Sequence, residues 1–122
     1  MQKDRNFFHN RIKAFSYAYN GFKILITSEN SIQTQLVIAI FITIIGFVFN
    51  ISITEWMFQI LAIGIVLVVE FLNSSIEKLA DFIHPNTHSK IGIIKDVAAG
   101  ASLVASITAV IIGLLIYIPK II

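Results

Sequence analysis

The sequence predicts an all-α membrane protein, a single domain with an N-terminal amphipathic surface helix and three transmembrane helices. Three observations predict this fold class. The chain is 57% hydrophobic and 13% charged, whereas soluble domains have about 25% charged residues. Residues 30–54, 56–69 and 97–119 contain no charged side chain, and a helix needs about 20 mostly apolar residues to cross a bilayer. Residues 1–28 instead combine cations with a periodic apolar face.

The surface helix is predicted over residues 1–28. Six apolar side chains recur there at intervals of three or four residues and so share one helix face: Phe8, Ile12, Phe15, Tyr19, Phe22 and Ile26. Aromatic residues on one face, with basic residues elsewhere, are typical of a helix that lies in the membrane interface. Taken alone, this segment is most simply a membrane anchor. The four polar residues 28–31 can turn the chain from the membrane plane into the first span, with Ser28 or Ser31 as the N-cap of that span.

The three transmembrane helices are predicted over residues 31–50, 55–83 and 92–118. Asn50 can close the first helix, and Thr54 can cap the second. The second helix is predicted to end before Pro85, because proline disfavours the helical conformation in the residue before it. The second helix would be roughly 45 Å long, which exceeds the roughly 30 Å hydrocarbon core, so its last turns should emerge from the bilayer. Small residues in the third permit close helix packing: Ala98, Ser102, Ala105, Ala109 and Gly113.

The distribution of charge predicts the orientation in the membrane. Eight of the nine Lys and Arg residues fall on one side of the predicted spans: Lys3, Arg5, Arg11, Lys13, Lys23, Lys78, Lys90 and Lys95. Only Lys120 lies beyond the third span. Since cytoplasmic loops are enriched in Lys and Arg, the N-terminus and residues 82–92 are predicted to face the cytoplasm. The chain has no cysteine, which excludes disulfides and thiolate metal sites.

A polar segment at residues 70–96 separates two apolar runs. Glu70, Asn73, Glu77 and Asp81 are three or four residues apart, so on a helix they share one face. An ionisable residue at the centre of a transmembrane helix costs about 3 kcal/mol. This cost favours a functional explanation over the simpler one, in which the stripe is polar packing or a solvated helix end.

The chemistry of the segment points to a phosphate and a hard cation. The carboxylates of this segment outnumber its cations. Such carboxylates, together with an amide, favour Mg²⁺, which usually binds together with substrate phosphates. The chain has no P-loop motif, so Lys95 near a helix start is the candidate phosphate contact. A carboxylate there could act as a general base on a hydroxyl. The alternative from another class is a small oligomeric ion or proton conductor, with Glu70 in its pathway.

The polar residues around the second and third spans follow one spacing pattern. It reads Glu70-x-x-Asn73-x-x-x-Glu77-x-x-x-Asp81, followed by His88 and by Lys95-Asp96-x-Ala98-Ala99. This pattern resembles the signature of the prokaryotic diacylglycerol kinase family, and the resemblance covers nearly the whole chain. It implies a multi-pass enzyme of the bacterial cytoplasmic (inner) membrane, with Mg²⁺ as cofactor, ATP as co-substrate and no nucleic-acid partner. It also implies a homotrimer. The expected reaction converts diacylglycerol to phosphatidic acid, and undecaprenol is the alternative acceptor.

The resemblance implies a role for individual residues. Glu70 matches the catalytic base, which takes the proton from the lipid hydroxyl, and Glu29 and Glu77 match the metal-binding acids. Lys95 matches a contact to the phosphates of ATP. The positions that match ATP-binding ones are Tyr17, Glu29, Glu77, Asn86, Thr87, His88, Lys95 and Asp96.

The remaining site positions carry over in the same way. Glu70 and Ala99 match places that contact the lipid, and Asn73 and Asp81 are expected to support the site. Some members of the family have a basic residue where this chain has Asn10. Arg11 beside it is the candidate for that role.

Overall fold

The computed structural model describes the backbone of residues 2–122 and the side chains of residues 6–122. Over this range it contains four α-helices: α1 Gln2–Ser28, α2 Asn30–Val48, α3 Ile53–Ile83 and α4 Ser89–Ile121. The last three are each long and apolar enough to cross a membrane. The predicted all-α class and the three spans are therefore confirmed, and each span begins and ends within three residues of its predicted bounds.

α1 is helical as predicted, but its amphipathic surface character stays a prediction. All side chains of residues 6–24 are exposed, so burial does not distinguish one face from the other. The end of α1 contacts the other helices: Leu25 is buried, and Phe22 stacks on Phe71 of α3 with 5.6 Å between ring centroids. Lys3 and Arg5, which belong to the predicted cytoplasmic charge, lie outside the described side chains.

The junction between α1 and α2 differs from the prediction. Its N-cap is Glu29, in an extended conformation, and neither Ser28 nor Ser31 has that position. The Ser28 hydroxyl instead donates to the Ile24 carbonyl oxygen at 2.6 Å. Serine hydroxyls readily bond back one helical turn, and here that bond leaves the capping position to the acid.

The turn between α2 and α3 is closed by local hydrogen bonds at both ends. Asn50 has a φ of 52°, a left-handed conformation that asparagine tolerates. The N–H groups of Asn50 and Ile51 bond back to carbonyl oxygens of the last α2 turn, which is the Schellman arrangement. α3 is then capped by Ser52, not by the predicted Thr54, because Ser52 and Glu55 form a reciprocal capping box.

α3 and α4 form the main antiparallel pair, and three polar contacts fix their register. These contacts are Glu55 with Lys120 at 2.9 Å, Gln59 with the Tyr117 hydroxyl, and Asp81 with Lys95. Because both helices rise by about 1.5 Å per residue, the fixed points place position 70 of α3 opposite position 106 of α4. Position 74 likewise lies opposite position 102.

One stripe of α3 shares the face that contacts α4 at both ends. It comprises Glu55, Gln59, Ala62, Val66, Glu70, Asn73, Glu77 and Asp81. On α4, Ala98 and Ala105 from the series of small residues are buried. The small residues therefore pack against α3 within the chain, which the close approach of the two helices requires. The predicted homotrimer receives no support from this series and stays a prediction.

α2 and α3 are in close contact at Gly46, where a β-carbon would lie 2.7 Å from the Trp56 ring. Between the three spans lies an apolar cavity of about 660 Å³. Its lining includes Ile38 of α2, Val66 of α3 and Ser106 of α4.

Candidate active site

Glu70 is a buried acidic residue in the middle of the bundle. It lies in the seam between α3 and α4 and is 7% exposed. Among residues 6–122 no side chain forms an ion pair or a hydrogen bond with it. A buried polar group without a partner is unfavourable, and a charged one more so. Packing alone therefore does not explain why an ionisable side chain occupies position 70.

Glu29 lies at the start of α2 and is held by α3. Its carboxylate forms no capping bond with the helix N–H groups. Instead, Lys78 Nζ lies 2.7 Å from Glu29 Oε1, and 27% of the Glu29 side chain is exposed. Lys78 directly follows Glu77. This ion pair therefore brings the two predicted metal-binding acids to the same end of the bundle.

Asp81 and Lys95 form a short ion pair between α3 and α4. Both side chains are partly exposed, so solvent or a soluble ligand can reach them. Glu77, one turn before Asp81, adds to the negative field at Lys95. Asp81, expected to support the site, is thus the direct partner of the predicted phosphate contact.

The loop between α3 and α4 lies at the same end of the bundle. His84 ends α3, with its Nδ1 atom 2.8 Å from the Asn86 carbonyl oxygen. His88 caps α4 by accepting a hydrogen bond from the Lys90 N–H, and this cap explains why α4 begins three residues before the predicted bound. Asn86, Thr87 and His88 are exposed.

Several predicted site residues are not brought together within the chain. Tyr17 is 68% exposed on α1. The Arg11 guanidinium lies over the Phe7 ring, 5.4 Å from its centroid, and reaches none of the acids. Asp96 and Ala99 are exposed on α4, near Lys95 but without a bond to the other predicted residues in the described part of the chain.

The predicted metal-binding acids can be compared with the ligands that a metal ion requires. No three His, Asp or Glu side chains within the described range come together as a metal-binding cluster. Mg²⁺, however, is usually bound by one or two carboxylates together with water and substrate phosphates. Glu29 and Glu77, at one end of the bundle, therefore fit such an ion when it arrives with a nucleotide.

Sequence reasoning missed two residues of this region. From the sequence, Lys78 counts only among the cations of the predicted cytoplasmic side, and Ser102 only among the small residues that permit helix packing. The structure places Lys78 on Glu29, and it buries the Ser102 Oγ and Asn73 Oδ1 atoms without hydrogen-bond partners in residues 6–122. Ser102 is the one polar member of the small-residue series on α4, and that contrast is the signal that could have identified it.

Comparison with known proteins decides the family. A sequence profile described as prokaryotic diacylglycerol kinase matches residues 16–117. The chain belongs to the prokaryotic diacylglycerol kinase family. As a member of this family it is an integral membrane kinase that phosphorylates a lipid hydroxyl with ATP as co-substrate.

Curated relatives match over most of their length. The undecaprenol kinase of Bacillus subtilis (strain 168) is 37% identical over 116 residues, which cover 95% of this chain and 94% of that protein. The diacylglycerol kinase of Helicobacter pylori (strain J99) is 30% identical over 100 residues, 82% of this chain and 78% of that protein. The diacylglycerol kinase of Escherichia coli (strain K12) is 30% identical over 100 residues, 82% of each chain.

Proposed function

We propose that this protein transfers the γ-phosphoryl group of ATP to the hydroxyl of a long-chain membrane alcohol, with Glu70 as the general base. The observation that carries this proposal is the buried Glu70 side chain, which forms no ion pair or hydrogen bond within residues 6–122 and lies between an apolar cavity and a partly exposed cluster of charged residues. The apolar side suits a lipid, and the charged side suits a nucleotide.

In the proposed reaction the lipid enters laterally and presents its hydroxyl to Glu70. The carboxylate takes the hydroxyl proton while the alcohol oxygen forms a bond to the γ-phosphorus. The bond from that phosphorus to the bridging oxygen of ADP breaks, and ADP leaves with the electron pair. Lys95 stabilises the negative charge on the phosphoryl oxygens, which requires it to exchange part of its contact with Asp81 for the nucleotide.

We also propose Mg²⁺ as the cofactor, held by Glu29 and Glu77 together with the phosphates. When bound, it neutralises phosphate charge and orients the γ-phosphoryl group. The support is the pair of carboxylates at one end of the bundle and the preference of this ion for oxygen ligands. Tyr17, Asp96 and the exposed residues of the 84–88 loop are proposed to bind the nucleotide.

Undecaprenol is the first candidate for the acceptor. The relative that supports it matches both ends of the chain, at 37% identity over 95% of its length. Diacylglycerol, the acceptor expected from the sequence, is the second candidate. It is favoured by the relatives from Helicobacter pylori and Escherichia coli, which carry that substrate in their names.

The proposed setting is the cytoplasmic membrane of a bacterium, with the N-terminus and residues 82–92 in the cytoplasm. Eight of the nine cations lie on that side. ATP would then reach Lys95 directly. A homotrimer is part of the proposal, because within residues 6–122 neither Tyr17 nor Arg11 forms an ion pair or hydrogen bond with Glu29, Glu70, Glu77 or Asp81, and a second copy could supply them.

The experiment is an assay of the purified full-length protein, reconstituted in lipid nanodiscs, with labelled ATP and Mg²⁺. Undecaprenol and diacylglycerol are offered separately at equal mole fraction. The proposal expects transfer to at least one lipid, with a higher kcat/KM for undecaprenol. Transfer to diacylglycerol alone would reverse the order of the candidates, and transfer to neither would contradict the proposed function.

A further inference from the structure

Two polar atoms in the seam between α3 and α4 have no partner. Asn73 Oδ1 and Ser102 Oγ are buried, and neither bonds to another group in residues 6–122. A buried hydroxyl or amide oxygen without a hydrogen bond is destabilising by about 1–3 kcal/mol. Such atoms in a native fold call for a ligand or another function.

The Ser102 hydroxyl lacks a bond that several other helical hydroxyls of this chain make. Such hydroxyls donate to the carbonyl oxygen one turn earlier, which satisfies them inside their own helix, as in Thr34 to Asn30, Thr43 to Ala39, Ser75 to Phe71 and Thr108 to Val104, all at 2.7–2.9 Å. Ser102 does not make this bond. Its donor hydrogen and its lone pairs therefore remain free for a partner in the seam.

The register of the two helices places this free hydroxyl on the reaction path. Position 102 of α4 lies opposite position 74 of α3, one turn from Glu70 toward the charged end of the bundle. Lys95 lies two turns farther along α4. Ser102 and Asn73 therefore lie between Glu70 and Lys95 along the axis of the helix pair.

We infer that Ser102 contacts the substrate by donating a hydrogen bond to the oxygen of the acceptor alcohol. The alcohol would donate its own proton to Glu70, and its second lone pair would remain directed at the γ-phosphorus. Asn73 Oδ1, which is also buried without a partner in residues 6–122, lies on the face of α3 that contacts α4. This inference deepens the proposed function and rests on it.

The surroundings of Ser102 favour the lipid hydroxyl over the nucleotide as its hydrogen-bond partner. Ala98 and Ala105, one turn to either side of Ser102 on the same face, are buried, so this face of α4 has no cationic side chain within one turn of Ser102. A triphosphate instead needs several cationic or N–H donors, and those lie at Lys95 and the start of α4.

The test compares Ser102→Ala with two other variants of the full-length protein in nanodiscs. Ser102→Thr keeps the hydroxyl, and Thr108→Val removes a hydroxyl on the same helix that is already satisfied by the Val104 carbonyl oxygen. Initial rates are measured against lipid mole fraction at saturating ATP, and against ATP at saturating lipid. Thermal denaturation and crosslinking report the fold and the oligomeric state.

Ser102→Ala is expected to lower kcat/KM for the lipid by about two- to tenfold, the range of one hydrogen bond, and to leave the KM for ATP unchanged. Ser102→Thr should recover most of the loss, and Thr108→Val should match the parent protein. An unchanged lipid kcat/KM, a changed KM for ATP, or a loss that tracks a lower denaturation temperature or a changed oligomer would overturn the inference. If the parent protein transfers to neither lipid, the proposed function fails and the inference fails with it. If the parent protein is active and Ser102→Ala equals it, only the inference fails.

Discussion

Lys78 on α3 binds the Glu29 carboxylate of α2 at 2.7 Å, and it is the residue that directly follows Glu77. One of the two proposed metal ligands is therefore already paired with a cation, and the other lies beside that cation in the chain. The pair ties the start of α2 to the last turns of α3. It also sets Lys78 in competition with any divalent ion that binds Glu29.

Lys78→Met is expected to lower the Mg²⁺ concentration for half-maximal activity, because the Glu29 carboxylate is then free for the ion. Partly exposed ion pairs are weak, so we expect a change of about two- to fivefold. The measurement is activity against Mg²⁺ at saturating ATP, with Lys90→Met as the control, since Lys90 is exposed and forms no ion pair in the described part of the chain. A higher Mg²⁺ requirement would mean that Lys78 holds phosphate itself.

Asp81→Asn and Lys95→Met are expected to differ in their effect on kcat/KM for ATP, although both substitutions break the same ion pair. Removing Lys95 takes away a charge-assisted bond to the phosphates, so kcat/KM for ATP should fall by about ten- to a hundredfold. Removing the Asp81 charge leaves Lys95 in place, and the change should stay within about threefold. Steady-state kinetics against ATP measure both variants. Equal losses would show that the pair serves to join α3 and α4, with no special role for Lys95.

Glu70→Gln is expected to abolish transfer, with a fall in kcat of about 10²–10⁴-fold, because the amide cannot take the hydroxyl proton. The fold should persist, since Gln has nearly the same volume and removes a buried charge. Circular dichroism and size-exclusion chromatography in detergent check this. Glu55→Gln, at the opposite end of α3, is the matched control and should retain activity. A Glu70→Gln variant with near-normal kcat would remove Glu70 from the role of base.

Gly46→Ala is expected to destabilise the fold without a direct effect on the site. The added β-carbon would lie 2.7 Å from the Trp56 ring and 3.2 Å from the Gln59 side chain. Overpacking of this kind costs about 1–3 kcal/mol. In Gly113→Ala the β-carbon has no neighbour within 4 Å, so that variant should be neutral or stabilised by up to about 1 kcal/mol. Denaturation in mixed micelles compares the two, and equal midpoints would contradict the close α2–α3 contact.

Much of the fold follows from the sequence because the bilayer allows few solutions. Two uncharged runs of sufficient length, and a shorter one that qualifies because its helix continues past Glu70, leave little choice but three spanning helices. The helix ends were less predictable. Ser28 and Ser31 are good N-caps by composition, yet the hydrogen bond from Ser28 to the Ile24 carbonyl oxygen competes with capping and leaves the position to Glu29. Ser52 replaces Thr54 because only Ser52 has Glu55 three residues later.

The candidate site also has some features that the sequence predicts and others that it does not. Periodicity alone places Glu70, Asn73, Glu77 and Asp81 on one face of α3. It cannot say what that face contacts, and the partners of Glu29, Asp81 and Ser102 depend on contacts between residues far apart in the chain.

The sequence by itself determined the class of the protein, the three spans and the stripe of acids, because hydrophobicity and helical period are local properties of the chain. Only the tertiary structure decided that the stripe faces α4, that Lys78 binds Glu29, and that the Ser102 and Asn73 oxygens are buried without a hydrogen-bond partner in residues 6–122. These depend on the register and approach of helices whose contacting residues are 14 to 65 positions apart. Local propensity does not encode that register, which the polar contacts at the two ends of the α3–α4 pair fix.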